Sequence, residues 1–339
     1  MVDTLDSGLG ISALARKASR GDIEVIPALE SGSPQILLNE LIAANYTSVL
    51  FTWRFLLNDL LNSRVCSKRI DLLLFQSSVG FLVADHLGEN NNYFKKEVYM
   101  SSNVHYFLVT SEILAAHYSE SPISSKFAGI FHDLPNLELI SELAQRDTPK
   151  ENRAIWVGNS KWGIRQKRID HKGLNRVVQP LVELLTSSKS DIGIKIIDSS
   201  EGKLSNAEVL LEIAKSKFLL QPSSSEGTGL PILEALALGT FPITTKVGVA
   251  PELLTGDSSS LICNSSADDF FFCMKELSSE IFPERLTDAV ESYFAKVKQE
   301  VIPETSRGLS PAPRSRNSIV REVYFLSRWK LRYWIQHIL

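Results

Sequence analysis

Two acidic side chains stand on either side of a Gly-Thr-Gly turn in the segment QPSSSEGTGLPILEALALGTFPITTKVGVAPELL, residues 221–254: Glu226 before the turn and Glu234 beyond it. A glycine turn that leads into a helix presents free backbone N–H groups at the positive end of the helix dipole. Such a place binds anions, phosphates above all. Carboxylates beside a phosphate site repel the phosphate, so their presence needs a reason. A ligand with hydroxyls as well as phosphate supplies one, because each carboxylate can accept hydrogen bonds from a sugar or ribose diol. That combination points to a nucleotide-sugar. Spacing alone leaves a second reading open, with Glu234 a solvated helix residue and Glu226 a charge favourable to the dipole.

A basic constellation precedes this segment. In AIWVGNSKWGIRQKRIDHKGLNRVVQPLVELL, residues 154–185, five cations (Lys161, Arg165, Lys167, Arg168 and Lys172) fall within twelve positions, ahead of a helix expected near Gly173. Cations there can neutralise a diphosphate leaving group, a large electrostatic demand in group transfer. A solvated loop would look the same. In the first half, an apolar run from Phe81 ends near His86, at the strand edge where open α/β sheets bind ligands. Gly8 and Gly10 lie in a short loop, DSGLG, before an amphipathic stretch at Ile11–Ser19.

The elements that must hold these residues alternate in type. Strand-like runs are expected at Ile23–Pro27, Thr47–Trp53, Ile70–Phe75, Phe81–Ala84, Tyr106–Thr110, Ala154–Gly158, Ile192–Ile197, Phe218–Gln221 and Phe241–Thr245. Amphipathic helical segments lie between them, at Ile36–Ala44, Ser111–Tyr118, Leu174–Leu185 and Ala207–Ser216. A further helix, Leu230–Leu238, is opened by Pro231 and closed by Gly239, as the asymmetry of helix ends prefers. Such alternation predicts an α/β fold with parallel sheets covered on both faces. The polar stretch DTPKENR, Asp147–Arg153, reads as the linker between two doubly wound domains.

Composition fits that picture. A chain of 339 residues has room for two domains, and 44% apolar with 22% charged residues is ordinary for a globular protein. A net charge of −3 gives no reason to expect nucleic acid. Cys66, Cys263 and Cys273 form neither a metal spacing nor a disulfide framework, which suits a reducing cytoplasm. No apolar run approaches the ~20 residues of a membrane span, and no signal peptide is evident.

The 221–254 segment resembles the donor-binding signature of retaining glycosyltransferases of the GT-B fold. That pattern is P-S-x-x-E-G-x-G-L-P-x-L-E-A-x-A-x-G-x-P-V-I, followed by G-x-x-P-E-L. Pro222, Ser223, Glu226, Gly227, Gly229, Leu230, Pro231, Leu233, Glu234, Ala235, Ala237, Gly239, Pro242, Ile243, Gly248, Pro251 and Glu252 match it. Glu226 and Glu234 fall on the two acids of the family's E-x7-E motif, while Thr228 stands where an aromatic is common. The resemblance implies two Rossmann-like domains facing across a cleft, an acceptor domain over 1–146 and a donor domain over 154–290. It implies transfer of a hexosyl unit from a nucleoside-diphosphate sugar to a hydroxyl acceptor, with the anomeric configuration retained and without a metal or bound cofactor. Carbohydrate or lipid-linked acceptors would place the enzyme in cell-surface polysaccharide or glycolipid synthesis.

The same resemblance distributes the roles. Lys172-Gly173 matches the family's K-G, whose Lys grips the diphosphate. The Arg of the family's G-R is missing, because Asn159 follows Gly158, and Arg165 with Lys161 behind it is the candidate replacement. Glu226 would contact sugar hydroxyls and Glu234 the ribose diol. Ser223, Gly227, Thr228, Gly229 and Leu230 would line the phosphates, and His86 would contact the transferred sugar. Gly8 and Gly10 would form the loop near donor phosphate and acceptor, and either Val2–Leu5 forms a stub of first strand or the domain is shortened at its start. His132 receives no role, and His105, His117 and His171 are read as structural.

Residues 303–316 are rich in Pro, Ser and Arg and read as a linker. Beyond them, 317–339 is dense in aromatic and basic residues. It suits either peripheral contact with an anionic membrane surface or packing against the first domain. Two rival functions also stay open: a non-catalytic GT-B-like accessory subunit, and another GT-B enzyme such as a sugar-nucleotide epimerase or a phosphorylase.

Overall fold

The computed structural model describes residues 2–3, 26–27, 33–44, 48–52, 57, 60–61, 63, 66, 68–70, 72–73, 78–83, 104–121, 123–146, 148–162, 170–202, 204–277 and 284–299. Gly8, Gly10, His86, Arg165, the expected helix at 11–19 and the segment 303–339 lie outside them. The chain divides into two compact units, one holding residues 1–110 and 114–132, the other 111–113 and 133–300.

The first unit is built on a six-stranded parallel sheet: β1 (Val2–Asp3), β2 (Ile26–Pro27), β3 (Ser48–Phe51), β4 (Ser78–Val83), β5 (Tyr106–Val109) and β6 (Phe127–Ile130). Their order across the sheet is β2-β1-β3-β4-β5-β6. The stub of first strand therefore exists, and it sits inside the sheet: Val2 pairs with Ile26 on one side and Phe51 on the other. Helix α1 (Pro34–Ala44) contributes Leu37, Leu38 and Leu41 to the core, and α2 (Glu112–Ser119) contributes Leu114 and Tyr118. They meet Val49 and Phe51 of β3 and Phe107 and Val109 of β5, the alternate residues of each strand.

One expectation fails here. The run Ile70–Phe75 is not a strand: residues 68–70 and 72–73 are helical. Cys66, Ile70 and Leu73 are buried while Leu72 is 49% exposed, a helical rather than an alternating pattern. A short apolar run cannot distinguish the two periods by itself. Conversely β6 has no strong apolar signature, since Ala128 and Gly129 occupy its middle. Gly129 adopts φ 136°, beside a shift of register against β5.

The second unit carries a four-stranded parallel sheet of β7 (Glu151–Gly158), β8 (Gly193–Asp198), β9 (Ser216–Gln221) and β10 (Phe241–Thr244), in the order β10-β9-β7-β8. β7 starts inside the expected linker, with Arg153 paired to Gly193 and Glu151 to Ser216. Its helices are α3 (Leu137–Ala144), α4 (Gln179–Ser187, entered through a π-helical turn at Leu174–Val178), α5 (Asn206–Lys215), α6 (Leu230–Ala237), α7 (Ala250–Leu253), α8 (Ala267–Glu276) and α9 (Glu284–Lys298). Ala154, Trp156, Phe218 and Leu220 share one core with Leu181 of α4, Phe270 of α8 and Val290 of α9. Ile155 and Leu219 share another with Ile140 of α3 and Ile213 of α5. Both faces of the sheet are covered, so its strands read as apolar runs.

β7 is followed by β8 on one side and β9 on the other, which makes the carboxyl ends of β7 and β9 a topological switch point. Open α/β sheets bind ligands at such points. Around the opposite half of the strands, Glu212 of α5 ties helix to sheet. Its carboxylate accepts from Arg153 of β7 at 2.7 Å, Lys195 of β8 at 2.6 Å and Lys215 at 3.3 Å. Partial burial pushes this carboxyl up, but the hydrogen bonds from Lys195, Arg153 and Lys215 prevail and hold it at about 2, below the ordinary 4.5.

The folded value lies below the unfolded one, so the stabilisation is complete above the unfolded value and disappears as pH falls through the folded value. Thermal melts of Glu212→Gln against the parent chain are expected to show a Tm deficit that is full at pH 6. The deficit narrows steadily as pH falls from about 4.5 towards about 2. A deficit independent of pH would assign the loss to packing instead.

Candidate functional site

Two loops meet at the switch point, one after β7 and one after β9. Gly173 adopts φ 73°, and a Cβ placed on it would lie 2.4 Å from the carbonyl oxygen of Pro222. Only glycine allows that approach. Arg176 donates to the same carbonyl at 3.1 Å, and the indole N–H of Trp156 donates to the Lys172 carbonyl at 3.1 Å. The loops are further laced by Ser224, whose backbone N–H donates to the His171 carbonyl at 2.9 Å and whose hydroxyl meets His171 Nδ1 at 2.8 Å.

This backbone contact brings the predicted acid and base together. Lys172 Nζ lies 2.5 Å from Glu226 Oε1, with side chains 19% and 12% exposed. Gln221, the last residue of β9, donates from Nε2 to the same Oε1 at 2.7 Å and to Ser223 Oγ at 3.0 Å. Burial pushes the Glu226 carboxyl up, yet the charge and hydrogen bond of Lys172, the Ser223 hydroxyl and the nearby His171 outweigh it and hold it below the usual range. Glu226 is therefore a carboxylate acceptor. Trp162 completes the surround: its ring lies 4.5 Å from that of His171, and Lys172 Nζ sits 5.8 Å from its centroid.

Each of these two loops leads into a helix, and among the described residues the two N-termini differ. Ahead of α4, Asp170 accepts from the N–H groups of Asn175 at 3.0 Å and Arg176 at 2.7 Å. Its own carboxylate thus fills the place of an anion. Gly229 caps α6 in the left-handed conformation with no side-chain cap. Among the described residues, no hydrogen bond is formed by the N–H groups of Gly229 and Leu230. The turn that presents them is fixed from two directions. Thr228 Oγ1 donates to the buried Asp133 carboxylate at 2.7 Å, and Val249 N–H donates to the Thr228 carbonyl at 2.9 Å. Gly248, at φ 52°, lies so close beneath that a Cβ would sit 2.2 Å from the Thr228 oxygen.

Residues 201–279 match the model of the family described as Glycosyl transferases group 1. That stretch includes the turn, Glu226, Glu234 and the Gly248 loop. No curated protein matches the chain. Among solved structures, sucrose-phosphate synthase (tll1590) from Thermosynechococcus elongatus matches at TM-score 0.50 and 14% identity, over 82% of this chain and 79% of that one. Alr3699/HepE of Anabaena, solved in complex with UDP and glucose, matches at TM-score 0.52 and 12% identity, over 78% of this chain and 79% of that one. At these identities the likeness is one of fold. The fold is GT-B.

Of the residues singled out by sequence, Lys172, Ser223, Glu226, Gly227, Thr228, Gly229 and Leu230 belong to these two adjoining loops and the helix start that follows. Glu234 is buried, with 9% of its surface exposed, which removes the reading of a solvated helix residue. Lys161 is exposed, and among the described residues its amine forms no hydrogen bond or ion pair; the recorded bond is from its backbone N–H to Asn159. His171, read as structural, is buried against Trp162 and Ser224 beside Lys172. Gln221, Trp162, Asp133 and Asp170 carried no sequence signal strong enough to be singled out. Among the described residues, no group of three or more His, Cys, Asp or Glu side chains could hold a metal ion. No helix among them is long and apolar enough to cross a membrane.

The packing beneath the turn makes a sharp demand at Gly248. Gly248→Ala forces a side chain into the left-handed region and against the Thr228 carbonyl. It is expected to cost about 2 kcal/mol or more in a urea titration, since such strain alone is of order 1–3 kcal/mol. A cost within a few tenths of a kcal/mol would mean the turn is not held from below.

Proposed function

We propose that this protein is a glycosyltransferase that moves a sugar from a nucleoside-diphosphate sugar to a hydroxyl acceptor. The observation that carries the reading is the convergence of Lys172 and Glu226 beside the open N-terminus of α6. A cation and unbonded N–H groups suit a diphosphate, and a carboxylate held ionised suits sugar hydroxyls. One N–H of the Lys172 ammonium rests on Glu226, leaving the other two for phosphate oxygens. Ser223, Gly227, Thr228, Gly229 and Leu230 line the diphosphate, and Glu234 holds the ribose. The match of residues 201–279 to the group 1 family and the GT-B fold support this assignment.

In the proposed reaction the bond between the anomeric carbon and the diphosphate oxygen breaks while charge grows on that oxygen. Lys172 and the α6 N–H groups stabilise the charge, a role that preorganised donors fill at little reorganisation cost. The acceptor hydroxyl attacks the face the diphosphate vacates, retaining configuration, and its proton passes to a departing phosphate oxygen. The step asks no metal of the residues named. His86, Arg165, Gly8 and Gly10 remain proposed contributors from outside the described residues. Synthesis of a polysaccharide or glycolipid at the cytoplasmic face of a membrane, with 317–339 touching the lipid surface, completes the reading.

Thermal-shift titration with UDP, GDP and dTDP is expected to raise Tm for one of them, and a matching sugar donor to be turned over. Glu226→Ala and Lys172→Ala are each expected to abolish turnover while the far-UV circular dichroism stays that of the parent. Wild-type turnover in either variant refutes the site. Failure of every nucleoside diphosphate and every donor to bind favours the accessory-subunit alternative.

A further inference from the structure

Gln221 has an atom that neither the fold nor the proposed chemistry uses. The side chain closes β9 at the switch point and is 2% exposed. Its orientation is fixed by chemistry, because Nε2 donates to the Glu226 carboxylate and the reversed amide would place oxygen against oxygen. The consequence is that Gln221 Oε1 is buried with no hydrogen-bond partner among the described residues. Buried side-chain acceptors are rarely left so, since the lost solvation costs about 1–3 kcal/mol. The position adds meaning. Gln221 and Lys172 donate to one and the same carboxylate oxygen, so the orphan acceptor belongs to an amide held against the group proposed to bind sugar hydroxyls.

We infer that Gln221 Oε1 accepts a hydrogen bond from a hydroxyl of the transferred sugar, which makes Gln221 a specificity-determining residue of the donor site. The inference rests on the nucleotide-sugar reading above. A neutral amide oxygen accepts and cannot donate, so it selects a ring position bearing O–H and rejects the same position deoxygenated. Discrimination of this kind is large because the site's own polar atom is left unpaired when the hydroxyl is absent. Glu226, by contrast, already accepts from Lys172 and Gln221, both through Oε1. The two side chains therefore differ in kind: Glu226 meets sugar hydroxyls as a carboxylate partnered by Lys172, and Gln221 Oε1 reports whether one hydroxyl is present.

The test uses the full chain. Calorimetric titration with UDP, GDP and dTDP first identifies the base that binds. Donor hydrolysis is then measured for UDP-glucose, UDP-galactose, UDP-N-acetylglucosamine, GDP-mannose or dTDP-glucose as that base dictates, with the 2-, 3-, 4- and 6-deoxy analogues of the donor turned over. One deoxy analogue is expected to lose about 100-fold or more in kcat/KM with the parent chain. With Gln221→Met that penalty should shrink by about tenfold, while the Kd of the nucleoside diphosphate moves by less than about threefold. Deoxy penalties unchanged by Gln221→Met overturn the inference, as does a loss of nucleoside diphosphate affinity that parallels the loss of turnover. If Gln221→Met does not fold, the parent chain still decides: equal turnover of all the deoxy donors overturns it. Absence of any nucleoside diphosphate binding sinks the donor reading itself, a result distinct from all of these.

Discussion

The contact of Gly173 with the Pro222 carbonyl is the constraint on which the rest of the site depends. It is a meeting of two backbones, with 2.4 Å between the oxygen and the place a Cβ would occupy. Because the loops after β7 and β9 touch there, Lys172 and Glu226 need not reach across a gap. Both side chains are largely buried, and a buried ion pair is tolerable only with such close geometry and with further hydrogen bonds. Gln221 and Ser223 supply those bonds. Parallel pairing sets up the encounter in turn, since Trp156 of β7 lies opposite Leu220 of β9 and their loops leave the same edge of the sheet.

The charges at this edge are arranged with economy. Asp170 occupies the helix N-terminus after β7, whereas that of α6 carries no side-chain cap. The two glycines that frame it act by close approach as well as by backbone freedom. Gly173 admits the neighbouring loop, and Gly248 admits the turn itself. Thr228 then exchanges the aromatic common in the glycosyltransferase signature for a hydroxyl bonded to buried Asp133. The turn is tied by a polar bond where that signature commonly carries an aromatic side chain.

Much of the second unit was legible in the sequence because its elements end in residues with mechanical meaning. Pro231 and Gly239 bound α6 within a residue, and the apolar runs of β9 and β10 match their strands because both faces of the sheet are covered there. Legibility fell where burial depends on partners. The stretch from Ile70 reads as a strand in isolation, and only packing of Cys66, Ile70 and Leu73 on one side reveals a helix. β6 is short and holds Ala and Gly at its centre, so neighbours rather than propensity make it a strand. Gln221 is one polar residue at the end of an apolar run. Its importance exists only once Glu226 folds back beside it, and the same holds for His171 and Trp162, nine positions apart in sequence.

The strand order β10-β9-β7-β8 also bears on how the second unit comes into being. β7 and β8 are joined by the crossover that includes α4, whereas the chain leaving β8 must pass β7 to place β9 on its far side. Lys172 and Glu226 are separated by 54 positions along the chain, and their contact waits on that return. Non-local pairings of this kind bear their loop-closure entropy before any contact rewards it, and they form late. During synthesis and refolding, a half-made unit with β7 and β8 in place therefore exposes one unpaired side of β7 and lacks the ion pair. The ion pair at the switch point needs β9 beside β7, so any form of this unit in which β9 is unpaired lacks the site.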